Sequence, residues 1–190
     1  MSDSTIAYFG YGSLVNLESL RTPYLSAHRA TVKGWKRIWL SRPHEPDSFA
    51  ASEGLAFLSV TRAPDSTIDG MIIEDHASSL ESLDKRESLY SRVNLDSNTI
   101  KFHDSDCKTR DQFLYVADDH PADKKSRILR SYLDVVMQGY HYHFGIKGLE
   151  DFFATTLHFD LEIQEDRKDP LYPRATRLTT EEIEVFARFR

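Results

Sequence analysis

The sequence predicts an α+β fold, on three observations. Strand-type runs rich in aromatic and β-branched residues fill the first 117 positions, and apolar residues at helical spacing dominate from Ala122 onward. One short helical pattern, between Ser78 and Glu87, interrupts the strands. At 190 residues the chain is read as a single domain, 1–190, large enough to bury a core.

The first strand is the alternating run Ile6 to Tyr11, and it stops in the loop Tyr8-Phe9-Gly10-Tyr11-Gly12-Ser13-Leu14, followed by a helical turn over Asn16 to Leu20. Two glycines allow a sharp turn and bring backbone N–H groups up to a ligand without an intervening Cβ. Successive N–H groups of this kind form a cradle for a carboxylate or a phosphate. The loop lacks both the P-loop lysine and the three-glycine dinucleotide pattern, and the competing reading is a plain tight turn.

A long strand is expected over Arg29 to Arg42, with Trp35, Arg37 and Trp39 on one face and Ile38 and Leu40 on the other, before the breaker cluster Arg42 to Asp47. Gly54 to Arg62 and Thr67 to Glu74 read as two strands joined by a turn at Ala63-Pro64-Asp65-Ser66. The first is apolar on both faces, which suits the centre of a covered sheet or a closed barrel. Gly70 marks a bulge or the close approach of another backbone. Further strands are expected over Tyr90 to Leu95, Thr99 to His103 and Gln112 to Ala117. Helices are expected over Ala122 to Phe144, over Leu149 to Thr155 after the Gly145 and Gly148 punctuation, and from Thr180 on; Asp166 to Arg174 is irregular.

Ser78 with Glu81 reads as a capping box that starts the short helix. Leu80 and Leu83 then mark its buried face, and Glu87 falls on the same stripe in the last turn. Burial and the negative end of the helix dipole both raise the pKa of such a carboxyl, as suits a general base that must hand its proton on. Arg86 is expected to point about 100° away around the helix. The competing reading is a Glu87 that reaches solvent or pairs with Arg92.

With 24 basic and 30 acidic residues the net charge is −6 and no basic stripe is present, which disfavours nucleic acid and anionic membranes and favours a small metabolite. No signal-like or membrane-spanning pattern occurs, so a cytoplasmic location is expected. Cys107 lies in a polar turn and reads as a structural or surface thiol. No metal is expected: His141 and His143 diverge in a helix, and His103, Asp106 and Cys107 lack a second cluster to complete a site.

The glycine loop Tyr8 to Leu14 together with Leu83-Asp84-Lys85-Arg86-Glu87, and the run from Pro121 through Tyr132 and Gly139 to Gly148-Leu149, is similar to the γ-glutamylcyclotransferase superfamily, which includes ChaC-type and AIG2-like proteins. The correspondence runs from Tyr8 to about Phe153, leaving residues 160–190 as a C-terminal extension that packs over the barrel or the site mouth. The resemblance implies an α+β fold around a small mixed β-barrel with flanking helices, no cofactor, and release of 5-oxoproline from a small γ-glutamyl substrate. It implies Glu87 as catalytic acid/base, and Tyr8, Phe9, Gly10, Tyr11, Gly12, Ser13, Leu14, Tyr90 and Tyr132 as substrate contacts. The loop N–H groups fit either the substrate α-carboxylate or a developing oxyanion. Leu14 stands where some branches carry asparagine, which leaves the leaving group open. A non-catalytic binding or regulatory module for γ-glutamyl metabolites is the alternative, and the oligomeric state is not readable.

Overall fold

A computed structural model describes residues 4–41, 54–104, 107–117 and 125–189. In chain order the elements are β1 (Thr5–Gly10), β2 (Ser26–Ser41), β3 (Ala56–His76), α1 (Leu80–Arg86), β4 (Tyr90–Asn94), β5 (Ile100–Phe102), β6 (Gln112–Ala117), β7 (Arg127–Leu129), α2 (Arg130–Ala154), β8 (Thr156–Leu157), β9 (Glu162–Gln164) and α3 (Thr180–Phe186).

The α+β class holds. A seven-stranded mixed sheet runs β4-β6-β1-β3-β2-β5, with β8 also on β2, and β7 and β9 form a separate parallel pair. Among the described residues these pairings make an open path from β4 to β5. β1 is central, antiparallel to β3 and parallel to β6, and Ala7, Tyr8 and Phe9 are accordingly buried on both of its faces.

One expectation is corrected in β3. The four residues Ala63 to Ser66 do not reverse the chain; β3 is continuous and pairs with β2 from end to end. The register jumps from Lys33↔Thr67 to Trp35↔Arg62, so these residues bulge out opposite the single residue Gly34, whose φ of 91° lets β2 bend with them. The turn-forming residues are thus spent on a bulge, because β2 is long enough to pair on both sides of it. Gly70 does mark a close approach: a Cβ there would collide with the Gly10 carbonyl oxygen and the Phe9 ring.

The long helix is corrected at its start. Ile128 and Leu129 belong to β7, paired with β9, and α2 begins at Arg130; positions 122–124 lie outside the described residues. The 128, 129, 132, 133 spacing suits a helix, but backbone pairing with a distant strand prevails at its first two positions. A kink at Gly145 (φ 65°, ψ −160°) separates two helical runs, in keeping with the two expected helices. The last helix starts with a capping box between Thr179 and Glu182. No described helix is long and apolar enough to cross a membrane.

The expected face of β2 carries the most consequential side chain. Arg37, 1% exposed, lies between Trp35 and Trp39 and aims into the core. Its Nε donates to the Tyr11 carbonyl at 3.1 Å, Nη1 to Thr155 Oγ1 at 2.6 Å, and Nη2 to the Asp69 carbonyl and the Tyr140 hydroxyl. The Tyr140 hydroxyl stands 2.9 and 2.8 Å from the Tyr11 and Asp69 carbonyls and donates to one of them at a time. The guanidinium also rests on the Tyr140 and Phe152 rings, at 4.8 and 5.2 Å from their centroids.

Replacing Arg37 by leucine removes a donor from each of these buried acceptors, and the Tyr140 hydroxyl can serve only one of the two carbonyls, at about 1–3 kcal/mol for each acceptor left unpaired. Urea unfolding of Arg37→Leu is expected to show a loss of about 3 kcal/mol or more. A midpoint equal to that of the exposed-site control Lys33→Ala would contradict it.

Candidate active site

The glycine loop leaves the end of β1 and folds back at once: a Cβ on Gly10 would sit 2.6 Å from Leu14 Cβ, so only glycine permits the reversal. Short 3₁₀ turns follow at Ser13–Val15 and Leu17–Leu20, the second capped by the Asn16 side chain, which accepts from the Glu18 N–H. Asn16 Nδ2 also donates to the Val135 carbonyl and to Gln138 Oε1 of α2. Helix and loop can touch because a Cβ on Gly139 would lie 2.6 Å from the Asn16 nitrogen. That contact sets Tyr132, two turns earlier on α2, over the loop. Its hydroxyl lies 3.0 Å from the place of a Gly12 Cβ and faces the N–H and side chain of Ser13.

The α1 helix starts differently from the expectation. A 3₁₀ turn, Ala77–Ser79, precedes it and no capping box forms: Ser78 lies inside that turn, and the N-cap is Ser79, whose hydroxyl donates to Asp75 Oδ1, which also accepts the His76 N–H. Leu83 is buried and Leu80 half-buried. Glu87 is the C-terminal cap, its N–H still donating to the Leu83 carbonyl at 2.9 Å while its φ of −99° and ψ of 37° leave the helix. Tyr90 N–H then donates to the Glu87 carbonyl, which turns the chain into β4.

That departure from helical geometry overturns the expectation for Arg86. Once residue 87 leaves the helix, the two side chains converge, and Arg86 Nε donates to Glu87 Oε1 at 3.0 Å. Arg92 pairs instead with Asp84, at 3.2 Å. The Glu87 side chain is only 16% exposed. Burial raises its pKa above the ordinary carboxyl value, against the guanidiniums of Arg86 and Arg174, which pull it down.

Glu87 lines two adjoining cavities. The smaller, about 30 Å³, is bounded by Phe9, Tyr11, Gly12, Ser13, Leu14 and Tyr115 together with Glu87, Tyr90 and Tyr132. The larger, about 120 Å³, shares Ser13, Glu87, Tyr90 and Tyr132 and adds Phe57, Leu129, Tyr172, Arg86 and Arg174. Tyrosines frame both. Tyr90 donates to the Leu58 carbonyl at 2.8 Å, Tyr11 to the Tyr115 carbonyl at 2.6 Å, and Tyr115 to Asp84 Oδ1 at 2.6 Å. Burial pushes the Tyr11 and Tyr132 hydroxyls well above the usual tyrosine pKa, so they stay neutral hydrogen-bonding groups.

Of the ten residues singled out in the sequence, seven therefore meet around Glu87: Phe9, Tyr11, Gly12, Ser13, Leu14, Tyr90 and Tyr132. Gly10 serves the fold of the loop. Tyr8 lines a third cavity, of about 570 Å³, on the other side of Arg86 and Arg174. Arg86, Tyr172 and Arg174 carry no local pattern that marks them. The last two reach the site because Asp166 accepts from the Ser131 N–H and hydroxyl and from the Leu171 N–H, docking the tail on the first turn of α2. Arg167 adds a two-pronged pair with Asp134. Cys107 lies elsewhere, donating to the Thr109 carbonyl, and burial with a hydrogen bond to Glu74 pushes its thiol up to about 12. Among the described residues no cluster of metal-ligating side chains is present.

No protein-family model matches this sequence, and no curated protein matches it. Solved structures do. A γ-glutamyl cyclotransferase superposes with a TM-score of 0.62 at 15% identity, over 97% of this chain and 99% of its own. The human uncharacterized protein loc79017 gives 0.58 at 15% identity, over 96% and 98%. YkqA from Bacillus subtilis gives 0.59 at 17% identity; 82% of this chain is covered, but only 56% of YkqA. The chain has the γ-glutamyl cyclotransferase fold. At these identities the likeness is one of fold, and the chemistry must be argued from the side chains. In this cyclotransferase fold, the loop after β1 and the end of α1 converge on Glu87.

The raised pKa of Glu87 has a measurable sign. Between the ordinary value of 4.5 and the folded value, the native state holds a proton that the unfolded chain has lost, so this group's contribution to stability falls as pH rises. Glutamine carries no such titration. Thermal melts across pH are expected to show Glu87→Gln gaining stability relative to wild type as pH rises from about 4.5; a constant difference would contradict the shift.

Proposed function

We propose that the protein is a γ-glutamylcyclotransferase, releasing 5-oxoproline and a free amine from a γ-glutamyl amino acid, peptide or amine. The observation that carries this reading is a mostly buried carboxyl, Glu87, that lines both a cavity walled by the glycine loop and a larger adjoining cavity with room to continue the substrate. The fold supports it.

In this reading the Phe9 to Leu14 loop, with Tyr90 and Tyr132, holds the γ-glutamyl part, and Tyr8 and Gly10 support the loop from behind. The substrate's α-ammonium is placed against Glu87. The carboxylate takes one of its protons, and the amine nitrogen attacks the γ-carbonyl carbon, closing a five-membered ring. The bond from that carbon to the departing nitrogen then breaks as Glu87 returns the proton to it. The ring nitrogen's surplus proton leaves by the same carboxylate. No water is consumed and no cofactor enters the balance. Proton transfer of this kind contributes about 10²–10⁴-fold. Holding amine and carbonyl in ring-closing geometry contributes more, on the order of 7–11 kcal/mol. The tyrosine frame keeps the site apolar enough to raise the proton affinity of Glu87, and Arg86 keeps the carboxylate form accessible.

The test is 5-oxoproline release, read by mass spectrometry, from glutathione, γ-glutamyl amino acids and γ-glutamylamines. Wild type is expected to turn over at least one of them, and Glu87→Gln to fold normally and lose about 10²-fold or more in rate. Product from Glu87→Gln at the wild-type rate would refute the role of Glu87. Saturable binding with no product from wild type would refute turnover.

A further inference from the structure

The larger cavity has a feature that proton transfer at Glu87 does not use. Its lining carries two guanidiniums, Arg86 and Arg174, against one carboxylate, Glu87. Arg86 is 10% exposed and spends its Nε on Glu87. Its Nη2 is fully buried and has no hydrogen-bond partner among the described residues. Buried guanidinium nitrogens are rarely left so, because an unmade hydrogen bond to a charged donor costs more than a neutral one. Arg174 lines the same cavity from the opposite side of the sequence, carried there by the docked tail. Both arginines also line the 570 Å³ cavity beyond, so they stand where the site opens away from the glycine loop.

The order along the site is therefore backbone loop, Glu87, then the arginine pair. A γ-glutamyl amino acid or peptide carries its charges in a matching order. Its α-carboxylate and α-ammonium sit on the glutamyl end, and a second carboxylate sits on the amine that departs. With the first carboxylate facing the loop and the ammonium facing Glu87, the second falls to the guanidiniums, whose planar donors suit a carboxylate. A γ-glutamylamine has no such group and leaves the two guanidiniums of the cavity without a second carboxylate.

We infer that Arg86 and Arg174 form a subsite for a carboxylate on the leaving group, selecting γ-glutamyl amino acids or peptides over γ-glutamylamines. This rests on the cyclotransferase reading, whose own test is separate. Two ligands that differ only in the charge at issue, γ-glutamylglycine and γ-glutamylglycinamide, are titrated calorimetrically into the Glu87→Gln protein, in which turnover is blocked. The glycine compound is expected to bind about ten-fold or more tighter. In Glu87→Gln/Arg174→Ala, and in the near-isosteric Glu87→Gln/Arg174→Gln, that ratio is expected to fall to about two-fold or less. Equal binding of the two ligands before Arg174 is changed would overturn the subsite, and this arm needs no arginine variant to fold. A ratio unchanged by both arginine variants, with the two ligands weakened alike, would overturn it too, by placing Arg174 at the glutamyl carboxylate. Binding of neither ligand would also overturn it. Release of 5-oxoproline by wild type from γ-glutamylglycinamide then reports separately whether the cyclotransferase reading still stands.

Discussion

Arg37 is the interaction on which the site's framework depends. One buried guanidinium joins the Tyr11 carbonyl at the exit of the glycine loop, the middle of β3 through Asp69, and the α2 helix through Tyr140 and the Thr155 cap. These points are brought together from three separate stretches of chain. A charge so deep in the core is costly unless its donors are satisfied, and here two of the four partners are backbone carbonyls whose positions the guanidinium then dictates. The loop conformation is in this sense a property of the core. Gly70 and Gly139 complete it from either side, letting β3 approach the Gly10 carbonyl and α2 approach Asn16.

On that framework the electrostatics of the site follow from where α1 ends. Glu87 is the residue at which the helix stops, so its backbone turns out of line, and its side chain meets Arg86 rather than standing opposite it. The carboxyl is consequently held between opposed influences: burial favours its protonated form, while Arg86 and Arg174 favour its ionised form. A group balanced in this way can both accept and donate a proton, which neither an exposed glutamate nor a fully compensated ion pair does well. The tail contributes directly to that balance. Asp166 anchors it to Ser131 at the start of α2, and the short span from Asp166 delivers Tyr172 and Arg174 to the cavity.

Local patterns made much of this legible. Period-two alternation marked β1, aromatic and β-branched residues marked β2, and the phase set by Leu80 and Leu83 brought Glu87 to the buried side of α1. The departures share one cause, long-range pairing that a local pattern does not report. Ala63 to Ser66 carry turn chemistry, yet β2 continues past them and makes them a bulge. Ile128 and Leu129 fit a helix, yet β9 recruits them into a strand. Ser78 and Glu81 have capping-box spacing, yet Ser78 falls inside a 3₁₀ turn and the helix begins later, at Leu80. Arg174 sits in a stretch without periodicity, and only the Asp166 contact gives it a place in the site. Arg86 meets Glu87 instead of standing about 100° away because the helix ends at Arg86, so ideal helical angles do not reach position 87.

The most direct test of the whole arrangement is a crystal structure of Glu87→Gln with γ-glutamylglycine bound. The account predicts the ligand's α-amine within about 2.6–3.2 Å of the side-chain amide at position 87, with the glutamyl carboxylate on the Gly12–Ser13 backbone and the glycine carboxylate on Arg86 and Arg174. A ligand bound away from position 87, or one reversed with its glutamyl carboxylate on the arginines, would contradict it.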